Sequence, residues 1–248
     1  MENKKQDTIT FYNYRLTTGL ESVRIGEGVG EPKVVACLNP HSFVTALDDK
    51  LFRTALENSD ILLPDGIGIC NTLRRYKHID VDKIAGDDLH RHMLNQLGER
   101  GGKVFYMGSN ETTLKKIAER IGREYSNIAV ATYSPSYSDE LPEAESKEII
   151  ARIGEFGADV VFVSMTAPKQ EKWVERYRTQ MVGPQYIASI GAVFDFYAET
   201  TKRAPRWMID MKLEWVVRFM KEPRRMWQRV FVSIPRYLRW TRNNRKEV

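Results

Sequence analysis

Between residues 33 and about 190 the chain alternates short, nearly unbroken apolar runs with stretches of helical periodicity. The runs are Lys33–Leu38, Asp60–Leu63, Lys103–Met107, Ile128–Thr132, Asp159–Ser164 and Gln185–Ile190. A strand with one wet face would alternate apolar with polar residues. These runs do not, so both faces are covered, as in a parallel sheet enclosed by helices. Helical segments near 42–57, 88–99, 111–125, 143–156 and 168–181 lie between them, with Leu114, Ile117, Ala118 and Ile121 on one stripe. The pattern predicts an α/β fold, Rossmann-like, with a mostly parallel sheet and helices on both faces. Thr8–Leu16 reads as an added strand or hairpin arm. In such sheets ligands sit beyond the carboxyl ends of the strands, so the residues that follow each strand carry the functional information.

Charge divides the chain in two. From Lys202 to Val248 there are 14 Lys and Arg against 4 Asp and Glu, and four of the five tryptophans (Trp207, Trp215, Trp227, Trp240). The first 201 residues carry 24 basic against 29 acidic side chains. The expected organisation is an α/β core over 1–201 and a basic, Trp-rich, amphipathic helical appendage over 202–248, its helices broken near Pro223 and Pro235. Trp227, Phe231, Ile234 and Leu238 form one of its stripes. Such an end binds an anionic surface, or else packs on the body and shows solvent a basic face. No stretch approaches the roughly 20 apolar residues of a membrane span. MENKKQDTIT has lysines without an apolar run behind them, so no secretory signal is expected. Cys37 and Cys70, the only cysteines, exclude a disulfide framework and a four-cysteine zinc site, and fit a reducing cytoplasm.

After the first strand comes Asn39-Pro40, where the asparagine can cap a helix or bond a polar ligand. After the second comes Pro64-Asp65-Gly66. Asp65, at the mouth of a buried strand, can take a proton from a hydroxyl or can cap the next helix. Gly108, Ser109 and Asn110 after the third strand can offer backbone N–H groups to a phosphate, as any N-cap would. The loop Ser134–Glu145, with Tyr137 at its centre, reads as a pocket rim. Pro168, Lys169 and Gln170 open a helix with an exposed polar, cationic entrance, and Asp195 follows the sixth strand. Asp80-Val81-Asp82 has the spacing of a divalent-metal pair but no apolar strand leading into it, so a solvated loop is expected. His90 and His92 fall on different helix faces and do not make a zinc pair. No GxGxxG, P-loop, GxSxG or CxxC occurs.

In this order the segments LLPDGIGI (62–69), IAGDDL (84–89), APKQEKW (167–173), GAVFDFYAETTKRAPRWM (191–208) and LEWVVRFMKEPRRMWQR (213–229) resemble the WecG/TagA/CpsF family of bacterial glycosyltransferases, glycosyltransferase family 26. The resemblance implies transfer of an N-acetylmannosamine- or glucuronic-type sugar from a UDP-sugar to a polyprenyl-diphosphate-linked saccharide of teichoic acid, capsule or exopolysaccharide. It further implies inversion at the anomeric carbon, no cofactor or metal, and a C-terminal appendage that meets the membrane. On the matching positions, Asp65 is the proposed base and Asn39 stands beside it. Gln170 lines the donor pocket, and Arg203, Arg218, Arg224 and Arg225 are candidates for diphosphate contacts. Lys83 stands where members usually carry arginine, Cys37 where threonine is common, and Thr166 and Glu199 where glycine is usual.

The candidate substrate contacts are thus Lys83, Gly108, Ser109, Asn110, Tyr137, Lys169, Gln170 and Asp195 with the four arginines. The expected partners are the UDP-sugar donor, the lipid-linked acceptor and the anionic inner face of the cell membrane, and no nucleic acid. A homo-oligomer is left open, because Met and Trp stripes suit a subunit interface as well as a membrane. The rival reading is a nucleic-acid-binding α/β module that uses the basic tail, which would bind with a steep salt dependence.

Overall fold

The computed structural model describes residues 7–26, 30–200 and 226–247. Two short strands, β1 (Thr8–Phe11) and β2 (Tyr14–Thr17), form an antiparallel hairpin at one edge. Six parallel strands follow: β3 (Lys33–Leu38), β4 (Ile61–Pro64), β5 (Gly102–Gly108), β6 (Ile128–Tyr133), β7 (Val160–Ser164) and β8 (Tyr186–Ser189). The spatial order is β1-β2-β4-β3-β8-β7-β5-β6. All six predicted apolar runs are strands, with each end shifted by one residue at most.

Helices cover both faces because successive strand residues point opposite ways. Val35, Leu63, Val104, Tyr106, Val160 and Phe162 pack against α4 (Gly86–Arg100), α5 (Glu111–Glu124) and α8 (Val193–Tyr197). On the other face Ala36, Leu38 and Leu62 meet α1 (Pro40–Asp48), α2 (Lys50–Glu57) and α3 (Ile67–Lys77). Phe105, Met107, Val161 and Ile187 meet α6 (Glu143–Phe156) and α7 (Lys169–Tyr177) there. From β5 the chain passes through α5 to β6, and from β7 through α7 back toward β8. The connections diverge, so a crevice opens between the carboxyl ends of β5 and β7.

Two expectations need correction. The segment 42–57 is two helices, not one: Asp49 ends α1 with its N–H on the Thr45 carbonyl and caps α2 by accepting from the Phe52 N–H at 3.0 Å. The helix also does not break near Pro235. A π-turn over Gln228–Ser233 runs straight into α9 (Ile234–Asn243), and the wider turn places the proline, which has no N–H to give, in the first turn of α9. The break near Pro223 lies outside the described residues.

This C-terminal helix is anchored on the body through one face. Tyr237 is fully buried, and its hydroxyl lies 2.7 Å from Thr72 Oγ1. Both hydroxyls also reach the Gly68 carbonyl, Thr72 Oγ1 at 2.9 Å and the Tyr237 hydroxyl at 3.3 Å, so the three groups form one hydrogen-bonded cluster. Ser233 Oγ meets His41 Nδ1 at 2.8 Å, Arg236 pairs with Asp48, and the Trp240 ring stands edge-on to Tyr12 and Phe43 at 4.6 and 4.9 Å. Trp227, Phe231, Ile234 and Leu238 lie on the opposite, exposed face. Replacing Tyr237 with Phe removes its hydroxyl from this cluster and is expected to cost about 1–2 kcal/mol in denaturant unfolding. It should also speed protease removal of the last helix. An unchanged midpoint and cleavage rate would show that the hydroxyl does not hold the helix.

Candidate active site

The site is built where β3, β4, β8 and β7 end. Leu38 pairs with Pro64 across β3 and β4, so Asn39 and Asp65 are the next residue on each of two neighbouring strands. The Asp65 N–H donates to the Leu38 carbonyl at 2.9 Å, which carries the pairing one step past the strands. Gly66 then turns the chain with a φ of +107°, and a Cβ there would stand 3.5 Å from Asn39 Cβ and 3.4 Å from Pro40 Cδ. This close left-handed turn brings the Asp65 backbone against Asn39.

Asn39 caps α1. Its Oδ1 accepts from the His41 and Ser42 N–H groups at 3.0 and 2.9 Å, and Ser42 Oγ returns a bond to the Asn39 N–H. Both alternatives raised by the sequence therefore fit one residue. The carboxamide oxygen belongs to the cap, and what Asn39 can offer a ligand is its Nδ2 donor. Lys83 is exposed in the loop whose next residue, Ile84, donates its N–H to the Pro64 carbonyl at 3.0 Å. That bond sets Lys83 beside the end of β4.

Cys37, half-buried one residue before Leu38, senses the charges gathered here. Burial pushes its thiol up, the carboxylates of Asp65, Glu171 and Asp88 add to this, and Lys83 opposes them. The thiol is thus protonated and is no nucleophile. The described part of the rim is rich in carboxylates.

On the β7 side the structure corrects one reading. Gln170 is not an exposed residue at a helix entrance; it is 4% exposed. Its Oε1 accepts from the Met165 N–H at 3.1 Å and its Nε2 donates to Glu171 Oε1 at 2.8 Å, so the carboxamide is drawn inward to satisfy buried polar groups. Lys169 reaches the Ser138 carbonyl at 2.5 Å and ties α7 to the loop that carries the fully exposed Tyr137.

At the crevice, Gly108 has a φ of +125°, and a Cβ there would lie 2.0 Å from the Ser164 carbonyl oxygen. The Ser109 N–H is not free for a phosphate, because it donates to that carbonyl at 3.2 Å. Asn110 caps α5 through the Thr113 N–H at 2.9 Å. Asp195 sits in the first turn of α8. Arg203, Arg218, Arg224 and Arg225 lie outside the described residues.

Elsewhere, Asp80 is taken by Arg74. His90 is a neutral core residue at 2.7 Å from the Tyr106 hydroxyl, and burial pushes its pKa down to about 3. Among the described residues no three His, Cys, Asp or Glu side chains gather as a metal group. Cavities of about 420 Å³ beside α1, α2 and the C-terminal helix, and about 660 Å³ among α4, α5 and α8, are lined by none of Asn39, Asp65 and Gln170.

A sequence model described as the glycosyl transferase WecG/TagA/CpsF family matches residues 9–247. The chain belongs to this family. It is a glycosyltransferase, and that decides against the nucleic-acid module. Among its relatives, the N-acetylglucosaminyldiphosphoundecaprenol N-acetyl-β-D-mannosaminyltransferase of Bacillus subtilis is 31% identical over 242 residues, covering 96% of this chain and 90% of the relative. The enzyme of the same name from Bacillus spizizenii is 30% identical with the same coverage. Glu199, at a position where the resemblance led us to expect glycine, holds a φ of +54°, a left-handed conformation that strains a residue with a side chain.

Sequence reasoning left Glu171 without a role, although it stands in the PKQE motif. It is 6% exposed, its Oε2 has no partner among the described residues, and burial pushes its pKa up to about 7. From pH 4.5 to about 7 the folded chain then holds a proton that the unfolded chain has lost. Stability therefore falls as pH rises through this window, by about 3 kcal/mol in all, and levels off above it. The Tm advantage of Glu171→Gln over the parent chain should widen across the same window. A pH-independent difference would show that the carboxyl is already ionised in the fold.

Proposed function

We propose that the chain transfers N-acetylmannosamine from a UDP-sugar to an N-acetylglucosaminyl-diphosphate carried on a polyprenyl lipid, inverting the anomeric carbon without a metal ion. The names of the two Bacillus relatives support this sugar over a glucuronic-type one, and support this acceptor. The observation that carries the reading is the placement of Asp65 and Asn39 on adjacent strand ends in a chain of this family.

In this mechanism an acceptor hydroxyl oxygen attacks the anomeric carbon from the face opposite the nucleotide. The new C–O bond forms as the bond to the β-phosphate breaks, UDP leaves with the electron pair, and Asp65 takes the hydroxyl proton. Asn39 Nδ2 holds the attacking hydroxyl or the sugar. Charge grows on the departing diphosphate, yet the carboxylates of Asp65 and Asp88 outnumber Lys83 around Cys37. The compensating charge comes from Arg203, Arg218, Arg224 and Arg225, whose guanidinium groups suit paired phosphate oxygens. Lys83, Gly108, Ser109, Asn110, Tyr137, Lys169, Gln170 and Asp195 are the remaining donor and acceptor contacts.

The core over 1–201 and the appendage over 202–248 have separate tasks: the first holds the nucleotide, the second rests on the anionic inner face of the cell membrane and completes the site. The exposed row of Trp227, Phe231, Ile234 and Leu238, on a helix that also carries Arg239 and Arg242, supports this. Among the described residues no helix is long and apolar enough to cross a membrane.

Asp65→Ala is expected to lower transfer about 10²–10⁴-fold while UDP still raises the Tm. EDTA should leave the parent rate unchanged. Transfer near the parent rate in Asp65→Ala would remove this residue as the base, and loss of turnover with chelator would remove the metal-free scheme. Separately, Phe231→Glu with Leu238→Glu should abolish co-sedimentation with vesicles rich in phosphatidylglycerol and leave the Tm within a few degrees. Undiminished binding would show that the row does not touch lipid.

A further inference from the structure

One buried carboxyl of the site has no task in the reaction above. Glu171 lies in the first turn of α7, and no group in the described chain reaches its Oε2. A polar atom shut away from water without a partner is costly, which makes its retention in a catalytic motif informative.

Its other oxygen is engaged. The Met165 N–H donates to Gln170 Oε1 at 3.1 Å, and Gln170 Nε2 donates to Glu171 Oε1 at 2.8 Å. The direction of this chain follows from chemistry. A backbone amide can only donate, so the Gln170 atom that faces Met165 is the carbonyl oxygen. The atom that faces Glu171 is then the nitrogen, and Glu171 must answer with an acceptor. A proton on Glu171 therefore sits on Oε2. Gln170 is left with one N–H for a ligand, at the carboxyl end of β7.

We propose that Glu171 is a positioning residue: held between Met165 and Glu171, the Gln170 carboxamide presents its remaining N–H in one fixed orientation to the sugar of the donor nucleotide. The inference rests on the donor reading proposed above. Without Glu171, Gln170 keeps a single hydrogen bond, about which its amide plane turns, and a contact that depends on orientation is lost. Burial supports the arrangement, because a carboxyl with its pKa pushed up to about 7 holds Gln170 without a full negative charge beside a diphosphate. Asp65 and Asp88 already place carboxylates near Cys37.

Two full-length variants separate this role from packing. Glu171→Gln keeps an oxygen for Gln170 and puts a donor where the protonated Oε2 stood. Glu171→Leu fills the space and offers no acceptor. With UDP-N-acetylmannosamine and a lipid-linked N-acetylglucosamine diphosphate, Glu171→Gln should stay within about 2-fold of the parent in both constants. Glu171→Leu should raise the donor KM about 10-fold or more and leave the acceptor KM within about 2-fold. A parent-like donor KM in Glu171→Leu, or equal losses in both variants, overturns the proposal.

Hydrogen exchange at the Met165 amide, followed by NMR without substrate, gives a second reading. It should quicken about 10-fold in Glu171→Leu and not in Glu171→Gln, and equal protection in all three chains also overturns the proposal. Failure of the parent to transfer from UDP-N-acetylmannosamine would instead reject the donor reading, and the exchange rates would still decide whether Glu171 holds Gln170.

Discussion

The parallel pairing of β3 with β4 on one side and β8 on the other is the constraint on which the site depends. It brings Leu38 level with Pro64, and therefore Asn39 level with Asp65. A slip of one residue would turn Leu62 and Leu63 to the wrong faces of the sheet, so the apolar core enforces the register on which the proposed chemistry rests. Gly66 and the Asn39 cap finish the arrangement locally, one by a turn that no side chain obstructs and the other by fixing where α1 begins.

Around this frame the electrostatics are unbalanced by design of the sequence. Three acidic groups, Asp65, Glu171 and Asp88, act on the Cys37 thiol, and one described lysine opposes them. A family of enzymes that handles diphosphates cannot work against such a field without bringing positive charge to it. The chain keeps that charge in its last 47 residues, where 14 Lys and Arg are gathered. In the function proposed above, that separation of acid from base along the sequence is how the site brings guanidinium groups to a diphosphate.

The strands were legible because a strand covered on both faces leaves a continuous apolar run, and no other element of that length does. The placement of Asp65 and Asn39 at strand ends was legible because they follow such runs directly, whereas the roles proposed for them came from the family resemblance alone. The split at Asp49 was not, since Asp-Asp-Lys lies within an otherwise helical period and only the two bonds made by Asp49 reveal the joint. Pro235 misled for a similar reason: a π-turn before it absorbs the missing donor, and no residue type announces a π-turn. Gln170 read as part of a polar surface because polarity is visible in a sequence, whereas the Met165 amide that pulls Gln170 inward is not.

The C-terminal helix is clamped to α1 by Ser233, Arg236 and Tyr237, and α1 starts at Asn39. A helix held so firmly is a spacer and not a tether. Ten residues of α9 at about 1.5 Å each make a rod of roughly 15 Å. Its outward row of side chains therefore stands at a set height and tilt from the strand ends, and whatever plane that row rests on is levelled by packing inside the protein.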